Sequence, residues 1–111
     1  DKKITAIFQP HLYTRTRDFY KEFADSLSLL DEVILVDIYP AREQPIPGVT
    51  SQLIYDNLRP GIEKCMCRKE DILNLLSQKK IEVLITLGAG DIDNYVPEIT
   101  KQLKLRMRNE E

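Results

Sequence analysis

Arg15 and Arg17 stand at the end of a helix that disfavours them. The apolar residues Phe19, Phe23, Leu27 and Leu30 recur at three to four positions and predict a helix capped by Thr14 or Thr16. Both arginines then fall in or just before its first turn. Cations there oppose the helix macrodipole, at a cost of about 0.3–1 kcal/mol each when exposed. Departures from local rules of this kind are expected at functional sites. His11 stands just before them, and Thr14 and Thr16 add hydroxyls. Together with the free N–H groups of a helix start, these side chains suit an anion such as a carboxylate or a phosphate. The competing reading is a solvated basic turn, with Arg17 paired to Asp18 or Glu22 and contributing little. For His11 taken alone, an ordinary loop histidine is the favoured reading.

Other constellations exclude more than they offer. Gly88-Ala89-Gly90 is a glycine-permitted turn, but a dinucleotide fingerprint needs a third glycine where this chain has Asp93. Asp91 then reads as the N-cap of a last helix. None of the four glycines (48, 61, 88 and 90) is followed by Lys and Ser or Thr, so no Walker A loop is present. No nucleophile elbow and no paired histidines occur. Asp37 sits at a strand end as a phospho-acceptor does, but the acidic pair expected after an earlier strand is missing. Cys65 and Cys67 are the only cysteines. On a strand they share a face, and a disulfide across that spacing is strained. With a single histidine they make no zinc set, and they read as small apolar strand residues of a reducing cytosol.

The elements that must position these residues alternate along the chain. Ile4 to Phe8 reads as a buried strand stopped by Pro10. Val33 to Ile38 is a continuous apolar run, as in a strand covered on both faces. Ile62 to Cys67 is a weaker strand, and Val83 to Leu87 a second strongly buried one. Helices are expected from a cap at Thr50 or Ser51 through Leu58, from Lys69 to Ser77 with Ile72, Leu73 and Leu76 inward, and after Asp91 with Val96, Ile99, Leu103 and Met107 on one stripe. Pro97 fits the first turn of that last helix, and the tail from Arg106 to Glu111 is expected to fray. From Tyr39 to Gly48 runs a loop stiffened by Pro40, Pro45 and Pro47. Four strands alternating with four helices predict a three-layer α/β domain, with a mostly parallel sheet and helices on both faces. Ligands of such sheets bind outside the carboxyl ends of the strands. That selects Gln9 to Arg17, Asp37 to Gly48 and Gly88 to Asp93.

Composition narrows the classes further. The 111 residues make one domain, long enough to bury roughly 65% of the unfolded surface. Hydrophobic residues are 42% and charged residues 31%, a globular balance. A net charge of −2, from 16 basic and 18 acidic residues, gives no footprint for nucleic acid or an anionic membrane. No apolar run approaches the length of a membrane span. The chain opens on Asp1 without a signal-peptide pattern, and a fragment or processed piece is expected.

Three segments carry a resemblance over the whole chain, in order and spacing. They are Phe8-Gln9-Pro10-His11-Leu12-Tyr13-Thr14-Arg15-Thr16-Arg17-Asp18, Asp37-Ile38-Tyr39-Pro40-Ala41-Arg42-Glu43-Gln44-Pro45-Ile46-Pro47-Gly48 and Thr86-Leu87-Gly88-Ala89-Gly90-Asp91-Ile92. The chain resembles the C-terminal domain of the Mur ligases of peptidoglycan synthesis, in particular the branch that adds L-alanine to UDP-N-acetylmuramate.

The resemblance implies a Rossmann-like third domain that closes over a site built by two others of the same enzyme. One of these binds the UDP-sugar, and the central one holds ATP and Mg²⁺ through a P-loop. ATP phosphorylates the muramoyl carboxylate, the amine of L-alanine attacks the acyl phosphate, and phosphate leaves. Carried over, His11 and Arg15 approach the amino acid and the muramoyl end. Thr14 and Arg17 complete the expected substrate-binding set, and Gly88, Ala89, Gly90 and Asp91 line the same mouth. The resemblance further implies a bacterial cytoplasmic enzyme whose third domain, alone, is inactive and holds neither ATP nor Mg²⁺.

Two positions depart from the family pattern: Leu12 replaces a frequent basic residue, and Arg42 replaces a glycine. The family's opening segment, which touches the nucleotide, is expected to be missing here. Two alternatives are a related recycling ligase that attaches a tripeptide to the same sugar, and a non-catalytic α/β binding module. The Pro-rich loop after Tyr39 favours the biosynthetic enzyme over the recycling one.

Overall fold

Apolar runs make the strands, and short polar or proline-bearing segments separate them from helices. In the computed structural model, which describes residues 2–88, four strands alternate with three helices. The strands are β1 (Ile4–Gln9), β2 (Glu32–Val36), β3 (Glu63–Cys67) and β4 (Val83–Gly88). The helices are α1 (Tyr13–Leu27), α2 (Gln52–Asn57) and α3 (Ile72–Ser77), the last led by a 3-10 turn at Lys69–Asp71. The strands form one parallel sheet in the order β3-β2-β1-β4, with Ala6 level with Val33 on one side and Ile85 on the other.

Every residue of β2 is buried, as its unbroken apolar run requires. Ile7, Ile34 and Val36 meet Ile72 and Leu76 of α3 on one face. Val33 and Leu35 meet Ala24 and Leu27 of α1, with Ile54, Leu58 and Ile62, on the other. The result is the expected three-layer α/β arrangement. Cys65 and Cys67 face the α3 side, half-buried and free. Burial, with Cys65 beside it, pushes the Cys67 thiol up to about 11. Both behave as apolar strand residues rather than nucleophiles.

Several local expectations are corrected. Thr14 and Thr16 do not cap α1 but lie inside it, behind an N-cap position held by Leu12. Thr16 is buried and its hydroxyl donates back to the Leu12 carbonyl at 2.8 Å. Ser51 does not cap α2 through its side chain; its hydroxyl donates to the Val36 carbonyl at 2.6 Å and ties the helix start to β2. Thr50 instead accepts the Gln52 N–H at 3.1 Å. β2 stops at Val36, opposite the last residue of β3, instead of reaching Ile38.

Phe19 is 50% exposed rather than in the core. It sits at the outer end of an aromatic row in which Phe23 lies 6.5 Å from it and 5.4 Å from Phe8. β4 is only half-buried, because among the described residues it pairs on one side alone. The expected last helix (Val96, Pro97, Ile99, Leu103 and Met107), the Asp91 cap and the charged tail lie outside the described residues. No described helix is long and apolar enough to cross a membrane.

Gly88 ends β4 beside Gln9, with φ +137°. A Cβ there would sit 2.6 Å from the Gln9 carbonyl oxygen, so only glycine lets the two strand ends approach. Gly88→Ala is expected to lower stability by about 1–2 kcal/mol, read as a shift of the urea midpoint. An unmoved midpoint would show that the strand ends part at no cost.

Candidate functional site

Parallel pairing brings the carboxyl ends of β1 and β2 together, and the chain beyond each end stays attached to the other. The Tyr39 N–H donates to the Pro10 carbonyl at 2.8 Å, and the Leu12 N–H donates to the Tyr39 carbonyl at 2.9 Å. His11 is thereby held between two backbone bonds, and its ring stacks on that of Tyr39 with centroids 5.8 Å apart. Beneath them Gln9, 2% exposed, donates its side-chain amide to the Asp37 carbonyl at 3.3 Å.

Leu12 then turns the chain from strand into helix with φ +73°, a region that non-glycine residues rarely adopt. Its carbonyl receives both the N–H and the hydroxyl of Thr16, at 3.2 and 2.8 Å, which holds the strained turn in place.

The four substrate-binding candidates divide. Arg15 is exposed on the first turn of α1 and has no hydrogen-bond or ion-pair partner among the described residues. His11 lies on the same rim. Arg17 pairs with Asp18, Nε to Oδ1 at 2.9 Å, on an exposed face. This is the solvated pair that the sequence offered as the competing reading. The bond raises the guanidinium's pKa and lowers that of the carboxyl. Thr14 is not free either, since its hydroxyl donates to Glu43 Oε2 at 2.5 Å.

Glu43 is the residue that sequence reasoning missed. Its Oε1 accepts the Tyr13 N–H at 2.6 Å and the Thr14 N–H at 3.1 Å. The N–H groups expected to receive an external anion are thus taken by a carboxylate of the chain itself. The Thr14 hydroxyl first, then these N–H groups and the Arg17 charge, hold the Glu43 carboxyl below its usual range against the opposing effect of burial. The signal was present in the sequence: Glu43 is the one acid between Tyr39 and Gly48. What remains on this rim for an outside anion, among the described residues, is the exposed Arg15 guanidinium, on the first turn after His11.

Gly88, level with Gln9, brings the start of the third segment to the same edge of the sheet. Ala89, Gly90 and Asp91 lie outside the described residues. Arg42 is exposed, next to Ala41 at φ +54°, in a turn closed by the Glu43 N–H on the Pro40 carbonyl at 2.9 Å. Two cavities open one strand further along. One of about 240 Å³ is lined by Tyr13, Asp37, Ile38, Thr50 and Ser51. The other, of about 320 Å³, shares Asp37, Thr50 and Ser51 and is completed by Gln52, Met66, Cys67 and Arg68. Neither is lined by His11 or Arg15.

No protein-family model matches the chain. Individual proteins do. The chain is 87% identical over 99 residues to a UDP-N-acetylmuramate–L-alanine ligase of Phocaeicola vulgatus, a match covering 89% of this chain and 22% of that protein. It is 53% identical over 107 residues to the ligase of the same name from Parabacteroides distasonis, covering 96% and 23%. Among solved structures, the UDP-N-acetylmuramate–alanine ligase of Thermotoga maritima matches with a TM-score of 0.69 and 25% identity, over 96% of this chain and 21% of that one. The chain spans about a fifth of the length of these relatives. Sequence and fold agree: over nearly its whole length the chain is similar to one segment of UDP-N-acetylmuramate–L-alanine ligases.

Proposed function

We propose that this chain is the C-terminal domain of a full-length, ATP-dependent ligase that joins L-alanine to UDP-N-acetylmuramate in the bacterial cytoplasm. The observation that carries the reading is the 87% identity over 99 residues to a ligase of that name. The relatives named above all carry the alanine-adding name, which weighs against the recycling ligase.

The chemistry sets what such a domain contributes. Amide formation needs an activated muramoyl carboxyl, an amine aimed at it, and little water. Holding the two reactants in line supplies much of the rate, and a domain that closes over them keeps water from the acyl phosphate. Arg15, without a partner among the described residues, offers a planar fork to a substrate carboxylate. His11, its ring fixed by stacking on Tyr39, lines the same approach.

In this reading the UDP-sugar and ATP are held by the other two domains, which are this domain's partners within the enzyme. Mg²⁺ accompanies ATP there and neutralises phosphate charge. No three His, Cys, Asp or Glu side chains gather to hold a metal ion among the described residues, so no step is assigned to the ion here.

A chimaera tests the reading. Replacing the matching segment of the Phocaeicola vulgatus ligase with this chain is expected to leave L-alanine-dependent phosphate release within about three-fold of the parent. A folded chimaera without activity would overturn the assignment. The same assay on the 111 residues alone is expected to be blank, and ligation by them would overturn the domain reading.

A further inference from the structure

The segments at residues 10–14 and 39–43 are fastened to each other at two places. One is the backbone exchange on either side of His11, through Tyr39. The other is the Glu43 carboxylate, which receives the Tyr13 N–H, the Thr14 N–H and the Thr14 hydroxyl at 2.6, 3.1 and 2.5 Å. The stretch between the fastenings is short and stiff. Pro40 fixes one φ, Ala41 takes a left-handed conformation, and the Glu43 N–H closes the turn on the Pro40 carbonyl.

With the first fastening alone, the start of α1 would be joined to the 39–43 segment only through Leu12, whose backbone is strained at φ +73° and whose carbonyl keeps the Thr16 N–H and hydroxyl. The second fastening ties Tyr13 and Thr14 to the loop directly. It lies on the rim, whereas the apolar residues that bury α1 against the sheet, Ala24 and Leu27, sit at the far end of the helix. The apolar packing of Ala24 and Leu27 is thus remote from Glu43, whose bonds act on the first helical turn. Arg15 follows Thr14 directly, and its position is set by that turn. The same three bonds close the helix start to an incoming anion, so a substrate carboxylate is left with the Arg15 guanidinium rather than with backbone N–H groups.

We propose that Glu43 is a positioning residue for ligation, a clamp from the 39–48 loop that fixes Arg15 and His11 in the arrangement that meets the amino acid. This rests on the reading of Arg15 and His11 as substrate-binding residues. Glu43 touches no substrate; it acts through the first turn of α1.

The test uses the full-length ligase. Glu43→Ala is expected to lower kcat/KM for L-alanine roughly ten-fold, mainly as a raised KM, with KM for the UDP-sugar within about two-fold of the parent. Glu43→Gln is expected to recover to within about three-fold, since its carboxamide oxygen still accepts both N–H bonds and its amide can donate to the Thr14 hydroxyl. Because Glu43 acts through Arg15, the double variant Arg15→Ala/Glu43→Ala is expected to fall no more than about two-fold below Arg15→Ala alone. If Glu43→Ala fails to fold, Glu43→Asp takes its place. It keeps the charge but is one methylene short of the helix, with an expected loss of about three- to ten-fold.

Three results overturn the clamp: a parental kcat/KM in the Glu43 variant while Arg15→Ala is impaired, a Glu43→Gln enzyme as poor as Glu43→Ala, or losses that multiply in the double variant. A parental Arg15→Ala enzyme overturns the substrate-binding reading instead, so the two failures are told apart.

Discussion

Arg15→Ala in the full-length ligase is expected to lower kcat/KM for L-alanine roughly ten- to hundred-fold, a loss of about 1.5–3 kcal/mol of transition-state stabilisation. The magnitude follows from the kind of contact. A guanidinium meeting a carboxylate makes a charge-assisted bond that can be bidentate, about twice as strong as a neutral one. Truncation removes that bond and leaves the substrate carboxylate poorly matched in a closed site. No described neighbour takes over, because the helix-start N–H groups are held by Glu43 and the next guanidinium is engaged with Asp18. Binding of the UDP-sugar to the open enzyme should change far less, since the proposed reading gives it to another domain.

Arg15→Lys should restore only part of the activity, because an ammonium is a point charge without the planar fork. Arg17→Ala is the internal contrast. Its exposed pair with Asp18 is worth little, and the variant should stay within about two-fold of the parent. Steady-state kinetics with L-alanine varied decide both. If Arg15→Ala also stays within about two-fold, Arg15 is a solvated surface charge and the main site assignment fails.

The contrast between the two arginines shows what could be read without coordinates. The three layers were legible because burial on both faces leaves a direct mark, and β2 is an unbroken apolar run for that reason. The edge to which the first two segments and Gly88 come was legible too, since parallel strands point their carboxyl ends one way. The cap of α1 was not. Local rules look for the partner of a helix start within the same few residues, so they selected Thr14 and Thr16. The partner is Glu43, some thirty residues on, delivered by a loop whose path depends on the pairing of β1 with β2. The left-handed conformations of Leu12 and Ala41 were hidden for a related reason: neither residue type favours them, and tertiary bonds impose them. Phe19 misled because helical spacing gives a face but not where the packing on that face ends.

At the opposite end of the sheet, stability rests on a carboxylate that the fold buries. Glu32 opens β2 and is 3% exposed. Lys79 Nζ donates to its Oε2 at 2.6 Å, the Thr5 hydroxyl donates to its Oε1 at 3.1 Å, and Lys3 Nζ stands 3.6 Å from Oε1. Lys79 lies two residues past the end of α3 and is tied to it through its own N–H on the Leu76 carbonyl, so this ion pair fastens the end of that helix to the sheet. Burial pushes the Glu32 carboxyl up, but the hydrogen bond and charge of Lys79, with Thr5 and Lys3, outweigh it and hold the group below its ordinary value.

A folded-state pKa below the unfolded one means stability that is present above about pH 4.3 and lost as the pH falls through the folded value. Lys79→Ala leaves the buried carboxylate short of its nearest cation and is expected to cost about 2–3 kcal/mol at neutral pH, since an under-compensated buried charge is worse than none. Glu32→Gln keeps an acceptor for Lys79 and is expected to cost about 1 kcal/mol. Acid should narrow both gaps. Protonating Glu32 removes the parent's advantage, and it also relieves Lys79→Ala of its unmatched charge, so the curves converge as the pH falls through the folded value. Urea midpoints measured across that range decide. A deficit in Lys79→Ala that is the same at pH 7 and in acid beyond the Glu32 titration would mean that the lysine's aliphatic stem, and not its charge, holds α3 to the sheet.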